Sequence, residues 1–398
     1  MKRKNHIYKL LGAAVMSVFG LAAEAEDIKL GFNGDLSASP SALSGQAAVL
    51  GLQAAIDDVN ASGGVLGRKL TLVVRDDLSQ PPKSIQNMSD LIDNEKVVTV
   101  FGPTNSGNAL AWKHIPTQKK IPVIGTVASG TAITTPVSAS AENYMFRVSM
   151  VDREQVAGLM AYVKKDPAVK KIGYLSETTG YGQGGLKDIQ ALGDMHGLKP
   201  VCNEKFGVND TDMTSQLNKC KAAGVDTLVV WAQGTPLGQL MRSMEKINYF
   251  PLTVMSWAAD NQSFFEAAGK TLAERPLFMR TVTEERTPKQ QQLYERIAPK
   301  MASPSAFGFA AHSYDAVTLL SLAIKQANST EGPKIREALE NLQTPYDGLM
   351  KNYNKPFSAT VHEALGSKDY KWAHWQDGKL LPYSDEVIKS LTDADFKK

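Results

Sequence analysis

The chain has little cysteine: only Cys202 and Cys220 occur among its 398 residues. Two thiolates make a poor zinc site, and none of the six histidines stands in a metal-binding spacing such as HExxH. The count excludes a disulfide-rich scaffold, and we expect no metal ion and no cofactor. It permits one disulfide without requiring it. Because Cys202 begins a predicted strand and Cys220 ends the helix that returns over the same sheet, we expect the two residues to lie close together.

The chain also lacks an excess of charge of either sign. It carries 44 Lys and Arg against 41 Asp and Glu, a formal net charge of +3. The first 25 residues contain four of the basic residues and one of the acidic ones, so the rest of the chain has a formal charge of zero. The basic excess therefore comes from the first 25 residues and gives no reason to expect binding to phosphate backbones, and we expect no nucleic-acid partner.

Near the N-terminus, residues 10–23 form an apolar run that is too short to span a bilayer comfortably. Basic residues precede this run, and Ala23-Glu24-Ala25 follows it with the small-x-small pattern of signal-peptide cleavage. We predict that residues 1–25 are a signal peptide cleaved after Ala25 and that the mature chain is exported to the periplasm. No cysteine stands directly after the run, where a lipid would be attached, so we expect no lipid anchor.

Signatures of catalysis are missing as well. Ser106 stands at a strand-to-helix turn, as a hydrolase nucleophile would, but its surroundings, TNSG, do not form GxSxG. No histidine follows at a loop that would complete a triad. The glycine-rich residues 180–184 lack the GxGxxG spacing of a dinucleotide site. We predict that the chain is not an enzyme and keep a secreted hydrolase as a remote alternative.

The chain does contain a regular alternation of apolar strands and helices, which predicts an α/β fold. The alternation is clearest in residues 97–131. Apolar runs at residues 97–101 and 121–124 are typical of neighbouring buried strands, and each is followed by a loop of small and hydroxyl residues. Ligands of open α/β sheets bind outside the carboxyl ends of the strands, and a helix beginning at Ser106 favours a carboxylate there.

The alternation pauses near residue 150 and then starts again, which indicates two units. We predict two doubly wound α/β lobes joined by three crossings, near residues 149–151, 275–276 and 342–343. In this division, lobe 1 comprises residues 26–149 and 277–342. Lobe 2 comprises residues 150–276 and 343–398.

Several blocks of sequence resemble a known family: EDIKLGFNGDLS, VFGPTNSGNALAWKHIPTQKKIPVIGTVASG, YLSETTGYGQGG and AFGFAAHSYDAVTLLSLAI. They are similar, in the same order, to the type I periplasmic solute-binding proteins, and above all to the group of the leucine/isoleucine/valine-binding protein. The resemblance runs nearly end to end. It implies a periplasmic binding protein type I fold whose two lobes close over a ligand and deliver it to an ABC permease in the inner membrane.

The resemblance also implies a set of ligand contacts. Ser106 occupies the position of the family's carboxylate-binding serine. Val127 and Ser129 occupy the two ligand-contacting positions of the next loop, and Tyr181 that of the cleft tyrosine in the second lobe. These four residues are therefore expected in the cleft.

Two positions depart from the family pattern. Ser44 stands in the first-lobe loop where the family offers an aromatic side chain to the ligand. Ala258 stands near the position of the acid that pairs the ligand's ammonium group. Glu177 or Asp260 would have to replace that acid if the ligand is an amino acid, because a sealed ammonium without an acid is costly.

Trp231 and Trp257 each end a predicted strand on the side where the ligand is expected. Together with Tyr181 they would form an aromatic wall opposite the serine loops. The lost acid and this wall favour an amino-free aliphatic or aromatic acid slightly over the amino acid that is the family default. The sequence leaves both open.

We therefore predict a monomeric solute-binding protein of a branched-chain-amino-acid-type ABC importer, which binds an amino acid or a related small carboxylate. A sensor that presents the same ligand to a membrane receptor is the main alternative, and the sequence does not separate it from import. The signal peptide argues against a cytosolic amide-sensing regulator of the same fold.

Overall fold

Two sheets flanked by helices form the described part of this computed structural model, residues 26–396. The predicted α/β class with two parallel-sheet lobes is confirmed. The predicted signal peptide, residues 1–25, lies outside the described residues.

The first lobe is built on a five-stranded sheet whose neighbouring strands are all parallel. Its strands are β1 (Ile28–Gly34), β2 (Leu70–Asp76), β3 (Thr99–Phe101), β4 (Val123–Gly125) and β5 (Met145–Arg147). Its first helices are α1 (Ala42–Ala61), α2 (Pro81–Ser89), α3 (Ser106–Trp112) and α4 (His114–Lys119). The order β2-β1-β3-β4-β5 reverses between β1 and β3, and such a switch point is where open α/β sheets bind ligands.

The second lobe is built on a seven-stranded sheet. Its parallel strands are β6 (Ile172–Glu177), β7 (Cys202–Phe206), β8 (Thr227–Trp231), β9 (Leu252–Met255) and β10 (Leu277–Arg280). Its helices are α5 (Asp152–Lys165), α6 (Gly180–His196), α7 (Thr214–Ala222), α8 (Gly234–Lys246), α9 (Gln262–Ala268) and α10 (Lys270–Ala273). The order of this part, β10-β9-β8-β6-β7, reverses between β6 and β8, which makes a second switch point.

After β10 the chain returns to the first lobe. There it forms α11 (Pro288–Ile297), α12 (Phe307–Ala327), α13 (Gly332–Glu340) and a short hairpin, β11 (Tyr346–Asp347) with β12 (Asn352–Tyr353). Helix α12 is long and apolar enough to cross a membrane, but most of it is buried as a core helix against α1. The two helices are so close that a side chain at Gly51 would overlap the backbone of Ala310.

The chain ends in the second lobe with β13 (Lys371–Gln376), β14 (Lys379–Pro382) and α14 (Glu386–Lys389). Strand β13 pairs antiparallel with β10, and β14 pairs antiparallel with β13. These strands extend the second sheet on the side away from β7.

The strand pairing moves two of the predicted lobe boundaries. Strand β10, predicted as the start of a lobe 1 segment, pairs with β9 and β13 of the second sheet, so the crossing follows Arg280. Residues beyond 342, predicted to lie in lobe 2, still pack on the first lobe: Asp315 of α12 accepts hydrogen bonds from Leu349 N and Tyr353 Oη, both at 2.9 Å. The third crossing therefore lies after Ala364, whose N–H still donates to Arg147 O of β5. An apolar run predicts a buried strand, but it does not say which of two sheets that strand joins.

Cys202 and Cys220 form a disulfide, with their Cα atoms 5.2 Å apart. It joins the start of β7 to the end of α7, as the predicted topology suggested. Both residues lie at the amino end of the second sheet, away from the strand ends that face the first lobe. The bond should therefore stabilise the lobe without touching the ligand.

Replacing both cysteines by alanine should lower the free energy of unfolding by about 2–3 kcal/mol, because the disulfide closes a loop with a sequence separation of 18 residues. Ligand affinity should stay the same. Urea denaturation of the oxidised protein and of the double variant measures the first quantity, and calorimetry the second. Equal unfolding free energies would contradict this account of the bond.

Candidate functional site

A small cavity lies between the two switch points, where the carboxyl ends of the two sheets face each other. Its volume is about 50 Å³. Loops after β1, β3 and β4 line it from the first lobe, and loops after β6, β8 and β9 line it from the second. Its lining residues are Pro40, Ser41, Ser44, Thr104, Asn105, Ser106, Val127, Ala128, Ser129, Tyr181, Gln233, Gly234, Trp257, Ala258, Asn261 and Phe309.

The first lobe presents hydroxyl groups to the cavity. Ser106 is the first residue of α3, and the Asn105 side chain caps that helix by accepting from Gly107 N at 2.8 Å. Ser106 Oγ accepts from Gly130 N at 3.1 Å, so its own O–H is available to donate. A hydroxyl that accepts from the backbone and donates into a cavity is suited to an anionic ligand atom.

The second lobe and α12 present aromatic rings. Trp257 and Phe309 have ring centroids 5.0 Å apart, and both line the cavity. Trp257 Nε1 donates to Ser129 Oγ of the first lobe at 3.1 Å. Tyr181, in the first turn of α6, lines the cavity from the same lobe as Trp257, and burial holds the pKa of its hydroxyl well above the usual range. These rings therefore suit an apolar ligand group.

Six of the nine predicted site residues line the cavity, and three do not. The six are Ser44, Ser106, Val127, Ser129, Tyr181 and Trp257. Trp231 is fully buried behind Tyr181, with ring centroids 5.9 Å apart, and packs against α6 at Gly185. The predicted aromatic wall therefore consists of Tyr181 and Trp257 together with Phe309, and Trp231 supports it from behind.

Glu177 and Asp260, the two predicted replacements for the lost acid, also lie outside the cavity lining. Asp260 is buried 3.7 Å from the guanidinium of Arg280, and burial raises the pKa of its carboxyl to about 6 although Arg280 lowers it. Glu177 is buried and accepts hydrogen bonds from Gln233. Neither carboxylate is placed for a direct ion pair with a ligand in this cavity.

The sequence analysis singled out none of Gln233, Asn261, Phe309 and Asp152, which lie in or beside the cavity lining. Gln233 and Asn261 line the cavity from the second lobe, in the loops after β8 and β9. Asp152, the first residue of α5, is buried beside Ser129, and burial raises the pKa of its carboxyl to about 7 while hydrogen bonding with Ser129 lowers it. The strand-end positions of Gln233 and Asn261 were the only signal in the sequence. Asp152 gave none.

The two lobes touch each other across the cavity. Asn261 Nδ2 donates to Ser44 Oγ at 3.3 Å, and Thr131 Oγ1 donates to Asp188 Oδ2 at 2.6 Å. The starts of α3 and α6 meet at Gly107 and Gly180, where a Cβ atom on Gly180 would lie 2.9 Å from Gly107 Cα. The structure thus shows a closed arrangement of the lobes.

Comparison with known proteins agrees with this architecture. A family model described as periplasmic binding protein matches residues 27–378. The chain is 23% identical over 383 residues to Leu/Ile/Val-binding protein homolog 3 of Brucella melitensis. The alignment covers 94% of this chain and 98% of that protein. A periplasmic binding protein type 1 from Bordetella pertussis Tohama I has a TM-score of 0.80 at 24% identity and covers 90% of this chain and 100% of its own. A second solved structure is the branched-chain amino acid transporter substrate binding protein LivJ from Streptococcus pneumoniae in complex with isoleucine. It has a TM-score of 0.76 at 24% identity, and the match covers 89% of this chain and 97% of LivJ.

These matches run over nearly the whole described chain and agree with its two doubly wound lobes and the cavity between them. The fold and the family suggested by the sequence blocks are both confirmed. The chain belongs to the periplasmic binding protein family, and within it to the type I proteins that include the Leu/Ile/Val-binding proteins.

Proposed function

We propose that this chain is the periplasmic solute-binding component of an ABC importer of the branched-chain-amino-acid type, and that it holds an amino acid or a related small carboxylate between its lobes. The observation that carries the proposal is the cavity, which is small, lined from both lobes and placed at two switch points. The names and ligands of the relatives support the same ligand class. The proposed partner is an inner-membrane permease, and the proposed state in solution is a monomer.

The hydroxyl and amide groups of the first-lobe lining support a carboxylate. Ser106 keeps a donor O–H for it, and Thr104 and Asn105 of the same loop also line the space. The lining residues carry no charged side chain, so a carboxylate would be held by neutral donors in a closed space. Hydrogen bonds to a charged group are stronger in such a space than in water.

The apolar part of the lining supports an apolar side chain. Trp257, Phe309 and Val127 belong to it; all three are buried, and the first two pack on each other. Such a surface accepts a branched aliphatic group or a small ring, because moving either from water onto it lowers the free energy in proportion to the apolar area buried.

A thermal-shift panel tests the ligand class. It compares leucine, isoleucine, valine and phenylalanine with the amino-free acid 4-methylpentanoate and with substituted benzoates. We expect at least one of these carboxylates to raise the melting temperature in a concentration-dependent way, because a ligand that binds only the folded state stabilises it. No shift with any of them would refute the proposed ligand class.

Replacing Ser106 by alanine should weaken the binding of that carboxylate by about 1–3 kcal/mol, since a charge-assisted hydrogen bond is lost in a closed cleft. The free energy of unfolding should hardly change. Ser41→Ala is a matched control, because Ser41 also lines the cavity but its hydroxyl bonds to Ser39 and Asp35 of its own loop. Equal calorimetric affinity of Ser106→Ala and wild type would remove Ser106 from the site.

A further inference from the structure

The buried acid Glu177 and the cavity residue Gln233 form a defined hydrogen-bonded unit behind the ligand space. Glu177 is the last residue of β6 and is fully buried. Its Oε2 accepts from Gln233 N at 2.9 Å, and its Oε1 accepts from Gln233 Nε2 at 3.1 Å and from the Thr179 hydroxyl. Both carboxylate oxygens are therefore occupied by donors.

This unit determines which way the Gln233 side chain points. A carboxylate only accepts hydrogen bonds, so the Gln233 side chain must turn its NH₂ group toward Glu177. The Gln233 carbonyl oxygen, Oε1, then has no hydrogen-bond partner among the described residues. Gln233 lines the cavity, and the residue is only 7% exposed. A buried acceptor without a partner is costly unless a ligand or water donates to it.

A second acceptor stands on the same side of the cavity. Asn261 Nδ2 donates to Ser44 Oγ, and its Oδ1 has no partner within the described chain. The second lobe thus holds two amide oxygens, unpartnered within the described chain, on residues that line the cavity, and Ser106 lines the same cavity from the first lobe. A ligand that satisfies both sides carries a carboxylate at one end of its polar group and N–H donors at the other.

We propose that Glu177 is a positioning residue that acts through Gln233: it orients the Gln233 carbonyl as an acceptor, so that the cleft selects carboxylates with an amino group over amino-free acids. The inference rests on the proposed function, because it concerns the ligand of the same cavity. In this arrangement the acid missing at Ala258 is replaced by an amide backed by a buried carboxylate, and no direct ion pair is needed.

Glu177→Gln tests the inference. A carboxamide at 177 can accept from Gln233 N and donate to Gln233 Oε1, which lets the Gln233 amide turn over and present NH₂ to the ligand. The measurement is the calorimetric Kd ratio of 4-methylpentanoate to L-leucine. Wild type should prefer leucine, and the variant should lose about tenfold or more of that preference, because sites built to accept a donor reject ligands without it.

Two further variants keep the result interpretable. Glu204→Gln makes the same chemical change on the neighbouring strand β7, where the acid pairs with Lys219 at the surface, and it should leave the ratio unchanged. Gln233→Met keeps the backbone N–H bonded to Glu177 but removes Oε1, so the leucine preference should fall even if Glu177→Gln does not fold. A purely structural role for Glu177 would lower the melting temperature and both affinities together, without changing the ratio.

The outcomes separate this inference from the proposed function. A reduced ratio in Glu177→Gln and Gln233→Met supports it. An unchanged ratio in both, or a wild type that prefers 4-methylpentanoate, overturns it and leaves the carboxylate-binding function standing. If wild type binds no carboxylate of the panel, both fail.

Discussion

A methyl group on Gly180 should hold the two lobes apart and weaken ligand binding by about a hundredfold or more. Gly180 begins α6 in the second lobe, and its added Cβ atom would lie 2.9 Å from Gly107 Cα in the first. Real Cβ atoms essentially never approach other atoms so closely, and the atom that this Cβ would meet is backbone, which cannot turn aside as a flexible side chain can. Because the ligand is expected to touch both lobes only when they are closed, a smaller closed population means a proportionally higher Kd. Calorimetry of Gly180→Ala with the ligand found in the panel measures the effect.

Gly184→Ala is the matched control for the methyl group added at Gly180. It adds the same methyl group to the same helix, but the space around Gly184 is empty within 4 Å. Alanine favours a helix over glycine by about 1 kcal/mol, so this variant should be at least as stable as wild type and bind equally well. If Gly180→Ala bound as tightly as Gly184→Ala, the contact between Gly107 and Gly180 would not limit closure.

Removing the Glu363 carboxylate should lower the free energy of unfolding by about 3–5 kcal/mol, because it leaves a buried arginine without its acid. Arg147 of β5 has a fully buried side chain, and its Nη2 and Nε lie 2.6 and 2.7 Å from the two carboxylate oxygens of Glu363. Arg147 Nη1 also donates to Gly130 O, so the same side chain holds the ligand-lining loop against the segment that precedes the third crossing. Urea denaturation of Glu363→Ala measures the loss.

Two comparison variants show whether the stability lost in Glu363→Ala comes from a buried, unpaired Arg147. Asp393→Ala breaks an ion pair with Lys368 whose side chains are 80% and 78% exposed, and it should hardly change the free energy of unfolding. The double variant Arg147→Met with Glu363→Leu removes both charges and should recover much of the stability lost in Glu363→Ala, since neither charge is left buried alone. A loss no larger than that of Asp393→Ala would show that Arg147 does not depend on Glu363.

The ligand-facing loops could be predicted because they are local features. The apolar run that ends in β3 stops at Gly102, and a small polar segment leads to Ser106, which begins α3 as expected. Ser129 and Trp257 likewise follow predicted strands and line the cavity. In each case, a strand, a break and a helix start lie within a few neighbouring residues, so their order in the sequence is sufficient.

The remaining features depend on which elements become neighbours. Trp231 is the last residue of a buried strand and Trp257 closely follows another, and the sequence pattern does not show which face a side chain takes when both faces of the sheet are buried. The bond between Glu177 and Gln233 joins residues 56 apart and exists because β8 lies beside β6, not beside β7. The same reason explains why the segment that forms β10 was predicted for the wrong lobe.

Small-angle X-ray scattering of the wild-type protein, with and without a saturating ligand from the panel, tests the central claim most directly. The claim is that a small carboxylate is held between two lobes and favours the closed arrangement through contacts with both. We expect the radius of gyration to fall when the ligand is added, and to fall less for Gly180→Ala at the same saturation. An unchanged radius of wild type, with binding demonstrated by calorimetry in the same sample, would contradict the account.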